Sequence, residues 1–87
     1  MEQVVRSFTP ERETLAREGI ESLTSREHEV LRLISFGNTT KMIAGDLEIS
    51  PRTVEIYRAR AIQKLGARNT ADAVRILSYM GMARMHA

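Results

Sequence analysis

Apolar residues recur at intervals of three and four along most of this 87-residue chain. That spacing places them on one side of an α-helix, whereas a half-buried strand would alternate apolar and polar residues, a pattern that is absent here. The sequence therefore predicts an all-α fold. The positions predicted to face the core are Val30, Leu31, Ile34, Ile43, Ala44, Leu47, Val54, Tyr57, Ala61, Leu65, Ala71, Val74 and Leu77.

Capping signals divide this pattern into four core helices. Thr24 and Glu27 form the signature of a capping box, in which each side chain accepts a hydrogen bond from the other's backbone N–H. Ser50-Pro51 pairs an N-cap with a residue suited to the first helical position, and Gly66 suits the end of that helix. The core helices are predicted over about 25–36, 40–47, 51–65 and 70–81.

A short additional helix is predicted before this core. Thr9-Pro10-Glu11 is a helix-start signal, and Gly19 fits a C-terminal stop. Few residues between them are apolar, so the helix needs another surface for its stability. We expect an N-terminal linker segment with a short helix over 1–22, followed by a four-helix domain over 23–87. This length suits a single small domain.

Positive charge is concentrated on one predicted helix. The chain as a whole carries a net charge of only +2. Residues 50–68, however, hold five basic residues against the single acid Glu55, a local net charge of +4. Such a concentration on one element is typical of a phosphate-binding face, and a basic second helix after a tight turn is the arrangement of DNA-binding helix–turn–helix proteins.

The outward side of helix 51–65 supplies the candidate DNA contacts. We predict that its exposed leading turns read base edges, since an acid can accept from cytosine and apolar groups can touch thymine methyls. An alternative for Glu55 is a salt bridge with Arg58 or Arg52. The base-reading candidates are Arg52, Glu55, Ile56, Ala59 and Arg60, and the phosphate-contact candidates are Thr40, Lys41, Thr53, Arg58 and Lys64.

Composition argues against several other classes of protein. The chain has no cysteine, which excludes disulfides and thiolate zinc sites and fits a reducing cytoplasm. No apolar run approaches the roughly 20 residues that span a bilayer, and the N-terminus is unlike a signal peptide. His28 and His86 lie far apart, with no acidic cluster at metal-ligand spacing. We expect no enzymatic activity, no metal and no cofactor.

At these residues the chain resembles the DNA-binding domain of the LuxR family, also called the LuxR–FixJ or GerE type. The resemblance covers about 45 positions in the family's order and spacing, although Thr40, Tyr57 and Ala61 differ from residues common there. It implies a four-helix domain whose third helix enters the major groove. It further implies the C-terminal effector domain of a FixJ-like response regulator. The segments that carry it are LTSRE with Val30-Leu31, Gly37 with KMIA and Leu47, ISPRTVE, and KLGA.

The predicted partners are double-stranded DNA and a second copy of the chain. Residues 70–85 carry more apolar side chains than one buried stripe needs, so we predict a weak homodimer through Ile76, Tyr79 and Met80. Met80 also fits the core stripe. Response regulators add a phosphorylatable receiver domain and RNA polymerase as candidate partners. Two alternatives remain, a protein-interaction module of the same fold that does not read DNA, and a sigma-factor-like promoter-reading domain.

Overall fold

A computed structural model describes residues 9–86, with side chains described over 9–81. The predicted all-α class is confirmed, because these residues form helices and no strand. No helix in this part of the chain combines the length and apolarity needed to cross a membrane. The helices are α1 (Pro10–Ser22), α2 (Ser25–Ser35), α3 (Thr40–Leu47), α4 (Pro51–Leu65) and α5 (Thr70–His86).

Hydroxyl caps begin the first four helices. The side chains of Thr9, Thr24, Thr39 and Ser50 each accept a hydrogen bond from the backbone N–H three residues later. The capping box predicted at Thr24 is confirmed, since the Glu27 side chain also accepts from the Thr24 N–H at 2.9 Å. These bonds satisfy backbone donors that a helix start leaves without partners.

The core lies where α2, α3, α4 and α5 meet. Val30, Ile43, Ala44 and Val54 form one cluster between α2, α3 and α4. A second cluster joins α2, α4 and α5 through Leu31, Ala61, Leu65 and Ala73. The predicted inward stripes of α2, α3 and α4 are confirmed by this packing, with Ile34, Leu47 and Tyr57 partly buried against the first cluster.

The inward face of α5 agrees only in part with the predicted one, since Val74 and Leu77 pack partly buried against the second cluster as expected. Ala71 is exposed, whereas Ala73, Ile76 and Met80 are buried. Because α5 packs against α1 as well as against the core, two of its sides are covered, and Ile76 and Met80 cluster with Ala16 of α1. The predicted end near Gly81 is also wrong, since the helix continues to His86. The side chains of Met82, Met85 and His86 lie outside the described residues.

Helix α1 does not end at Gly19 as predicted. The helix continues to Ser22, and Gly19 is buried at its contact with α4. A Cβ at position 19 would lie 2.5 Å from the Lys64 carbonyl oxygen. Gly19 therefore allows two helix backbones to approach closely, which explains a glycine within a helix.

Candidate nucleic-acid interface

A tight turn between α3 and α4 directs the start of α4 outward. Glu48 follows α3 in the left-handed region, with φ 57° and ψ 45°, and the Ile49 N–H donates to the Ala44 carbonyl at 3.0 Å. Ser50 then caps α4 and Pro51 occupies its first turn. Left-handed backbone is unusual for glutamate. Because this position is not a glycine, the sequence carried no local signal for that conformation. The turn brings α3 and α4 together in a helix–turn–helix arrangement.

An exposed strip runs along the outer side of α4. Arg52, Ala59 and Arg60 are exposed, and Ile56 retains 40% of its accessible surface. Val54, Ala61 and Leu65 on the opposite side are buried. Four of the five base-reading candidates therefore face solvent on one strip. Basic and small apolar side chains on one helix face can contact phosphates, guanine edges and thymine methyls.

Three cations of the two helices α3 and α4 have no internal carboxylate partner. Among the described residues, no carboxylate oxygen lies within 4.0 Å of a side-chain nitrogen of Lys41, Arg52 or Arg60. Lys41 is exposed in the first turn of α3, where backbone N–H groups also favour an anion. Unpaired cations on one side of a domain are the arrangement that displaces counterions from DNA.

Glu55, in contrast, is engaged within the domain. Its Oε1 accepts from Arg58 Nη2, and its Oε2 accepts from the Thr40 hydroxyl at 2.9 Å. Arg58 Nη1 in turn donates to the Thr70 hydroxyl at 3.2 Å. The alternative of a salt bridge between Glu55 and Arg58 is thus the arrangement seen. Thr40 is available for this contact because Thr39, one residue earlier, caps α3.

Lys64, a predicted phosphate contact, is engaged within the domain. Its Nζ donates to Glu27 Oε1 at 2.7 Å and to the Ser22 carbonyl at 3.2 Å. The Glu27 side chain is only 2% exposed, and burial by itself raises its pKa. The hydrogen bonds from Lys64 and from the Thr24 N–H outweigh burial, so the net pKa of Glu27 is lowered. The phosphate role of Lys64 stays a prediction, in which its ammonium group would have to be shared with, or released from, a buried carboxylate.

Thr53 and the dimerisation candidates have internal contacts as well. Thr53 Oγ1 lies 2.9 Å from Ser50 Oγ at the start of α4. The Thr53 side chain is partly exposed, one residue after Arg52 of the strip. Ile76 and Met80 are buried beneath α1, so their predicted exposure is wrong. The Tyr79 hydroxyl donates to Glu13 Oε1 of α1 at 2.6 Å. That bond raises the pKa of Tyr79, because it favours the neutral phenol.

The contacts of three residues around the start of α5, Asn69, Thr70 and Asp72, were missed by the sequence analysis. Asn69 Oδ1 accepts the Asp72 N–H at 2.8 Å, and Asp72 Oδ2 accepts the Arg68 N–H at 3.0 Å. The latter bond, followed by one from Arg75, lowers the pKa of Asp72. An Asn followed three residues later by Asp was an available capping signal. The sequence held no such signal for Thr70, because its partner Arg58 lies on another helix.

Comparisons with known proteins place most of the chain in one group. Residues 21–77 match the sequence pattern described as "Bacterial regulatory proteins, luxR family". The response regulator RamR of Streptomyces coelicolor is 48% identical over 59 residues, covering 68% of this chain and 29% of RamR. The spore germination protein GerE of Bacillus subtilis is 46% identical over 59 residues, covering 68% of this chain and 80% of GerE.

The fold is also similar to a solved structure. A crystal structure of full-length FixJ from B. japonicum superposes with a TM-score of 0.68 and 34% identity. The similarity covers 84% of this chain and 37% of the FixJ chain. The present chain spans about a third of the length of the curated FixJ regulators that it matches.

Proposed function

Because this chain belongs to the LuxR family of bacterial regulatory proteins, we propose that it is a sequence-specific DNA-binding domain. The observation that carries the proposal is the strip of Arg52, Ile56, Ala59 and Arg60 on the outer side of α4, flanked by Lys41. In this arrangement α4 enters the major groove with its leading turns toward the bases, while α3 crosses the phosphate backbone. The domain acts as a transcription regulator in the cytoplasm.

We also propose that the domain is the output domain of a two-component response regulator. The similarity to RamR, which is named a response regulator, supports this role. The partners in that role are a phosphorylatable receiver domain and RNA polymerase. The names of the related proteins RamR and GerE do not describe an enzymatic activity. Regulation by DNA binding needs no catalytic group.

Binding to duplex DNA should weaken steeply with salt, and Lys41→Ala should make this dependence shallower. Each lost phosphate contact reduces the slope of log affinity against log salt concentration by about 1. Arg32→Ala is the matched control, because this substitution also removes one positive charge, but from α2. The Arg32 guanidinium lies 5.8 Å from the Phe36 ring centroid, away from the proposed contacts of α3 and α4. Fluorescence anisotropy with a duplex chosen from a random pool measures both slopes.

The proposal fails if the wild-type domain binds no duplex at low salt, or binds with no salt dependence. A binding-inactive but folded domain would instead favour the protein-interaction module. Equal slopes for Lys41→Ala and wild type would remove Lys41 from the phosphate contacts while leaving the rest of the proposal in place.

We further propose that two copies pair on DNA through the side of α5 that α1 leaves uncovered. Ala71 and Ser78 are exposed on that side, and Val74 between them is partly exposed. A two-fold pair would place each residue near its own copy and set two α4 helices on half-sites about one DNA turn apart. Family resemblance supports pairing through this helix.

Ala71→Glu with Ser78→Glu should abolish most of the cooperativity on a duplex with two half-sites. Each carboxylate would face its own copy across the two-fold axis, and like charges at close range repel. Ser35→Glu, at an exposed position on α2, adds a charge away from α5 and should retain cooperativity. Cooperativity in the doubly substituted domain equal to that of Ser35→Glu would contradict pairing through this side of α5.

A further inference from the structure

Four side chains connect three helices beside the exposed strip of α4. Thr40 is the first residue of α3, Glu55 and Arg58 lie one turn apart on α4, and Thr70 is the first residue of α5. Hydrogen bonds run from Thr40 to Glu55, from Arg58 to Glu55 and from Arg58 to Thr70. This bridge, comprising Thr40, Glu55, Arg58 and Thr70, joins the starts of α3 and α5 to the leading half of α4.

Both charged groups at the centre of the bridge are engaged inside the domain through each of their terminal atoms. Glu55 engages one oxygen with Arg58 and the other with Thr40, and Arg58 engages one Nη with Glu55 and the other with Thr70. To bind a cytosine amino group, Glu55 would have to offer an oxygen that already accepts from Arg58 or Thr40. To bind a phosphate, Arg58 would have to share a guanidinium whose charge the Glu55 carboxylate already neutralises. Their geometry therefore suits support of the interface better than direct contact.

The position of the bridge gives it a consequence for base recognition. Arg52, Ile56 and Ala59 border the same shallow depression as Glu55, Arg58 and Thr70. The bridge holds this part of α4 against the starts of α3 and α5, where Lys41 and backbone N–H groups lie. A small rotation of α4 relative to those groups would misplace all its base contacts together, since phosphate contacts set the register of a protein on the duplex.

We infer that Glu55, Arg58 and Thr70 are positioning residues that fix the orientation of α4 on DNA, and that Glu55 does not itself read a base. This inference rests on the proposed DNA-binding function. It assigns Thr70, a residue of α5 outside the helix–turn–helix, a part in sequence specificity. It predicts that loss of the bridge broadens the preference at several base pairs at once, whereas loss of a base-reading side chain changes one.

The test compares sites selected from random duplexes by wild type, Glu55→Ala, Thr70→Val and Thr70→Ser. Valine keeps the shape and β-branching of threonine without its hydroxyl, so neither net charge nor helix start changes. Glu55→Ala and Thr70→Val should both lower the ratio of specific to non-specific affinity, roughly tenfold for Glu55→Ala, spread over several base pairs. Thr70→Ser retains the hydroxyl acceptor for Arg58 and should select the wild-type sites with the wild-type ratio.

Circular dichroism and urea unfolding of each variant separate a specificity change from a folding defect. A change confined to one base pair in Glu55→Ala, with Thr70→Val identical to wild type, would overturn the inference and return Glu55 to base reading. Equal loss of specificity in Thr70→Ser and Thr70→Val would also overturn it, because the hydroxyl would not be responsible. A wild-type domain that enriches no sequence would refute the proposed function and the inference with it.

Discussion

Lys64→Met should destabilise the domain by about 3 kcal/mol at neutral pH, the scale observed when one partner of a buried ion pair is removed. Methionine retains much of the aliphatic length of lysine and removes the ammonium group that Glu27 Oε1 accepts at 2.7 Å. The Glu27 side chain is 2% exposed, so water cannot readily replace that partner. The Ser22 carbonyl at the end of α1 loses the same donor.

The defect of Lys64→Met should shrink as the solution is acidified. In the wild type the pKa of Glu27 lies below its ordinary value of 4.5. The carboxylate therefore contributes stability that is present above pH 4.5 and is lost as the pH falls through the lower folded-state pKa. Without the ammonium group the folded-state pKa is higher than in the wild type. As the pH falls, Glu27 of the variant is therefore protonated before Glu27 of the wild type, which removes the buried unpaired charge from the variant. The unfolding free energies of the two proteins then converge.

Urea unfolding of the two proteins at pH 7 and at successively lower pH measures both effects. Arg60→Met is the matched control, since it removes one positive charge from an exposed position on the same helix. Surface changes of that kind stay within about 0.5 kcal/mol. If Lys64→Met were no less stable than Arg60→Met, or if its defect grew with acidity, the buried pair would not stabilise the domain as argued.

Gly19→Ala should destabilise the domain by about 2 kcal/mol, the scale of overpacking a tight contact. The new Cβ would lie 2.5 Å from the Lys64 carbonyl oxygen and 3.1 Å from Leu65 Cα. Both are backbone atoms of α4, so the contact can be relieved only by moving α1 away. Moving α1 away would also loosen the packing of Ala16 on Ile76 and Met80.

Gly45→Ala provides the opposite expectation with the same chemical change. Gly45 lies within α3, and its added Cβ would meet nothing within 4 Å. Alanine is favoured over glycine in a helix by up to about 1 kcal/mol, so this variant should be more stable than the wild type. Thermal unfolding of the two variants should shift in opposite directions. Similar stabilisation by both substitutions would show that α1 does not pack closely on α4.

The core of the helix–turn–helix followed from the sequence through local rules. Each hydroxyl cap bonds to an N–H three residues away, so Thr24, Ser50 and the helices that they begin were evident from neighbouring residues alone. In α2, α3 and α4 most apolar residues lie on one side, which indicated a single inward orientation for each helix. The exposed strip of Arg52, Ile56, Ala59 and Arg60 is the other side of that same pattern.

The tertiary structure decided what depended on a second helix. Apolar residues occur on more than one side of α5, so only the docking of α1 shows that Ile76 and Met80 are buried. Gly19 has the local signature of a helix end, but its place in the interior follows from the approach of α4.

The tertiary structure also decided which basic residues of α4 are exposed and which are paired with a carboxylate. Basic composition alone could not separate Arg60, which is exposed, from Lys64 and Arg58, which carboxylates hold. Glu27 lies 37 residues from Lys64, and Thr40 lies 15 residues from Glu55. Helical periodicity specifies which side of a helix a residue occupies, whereas its partner is specified by which helix packs against that side.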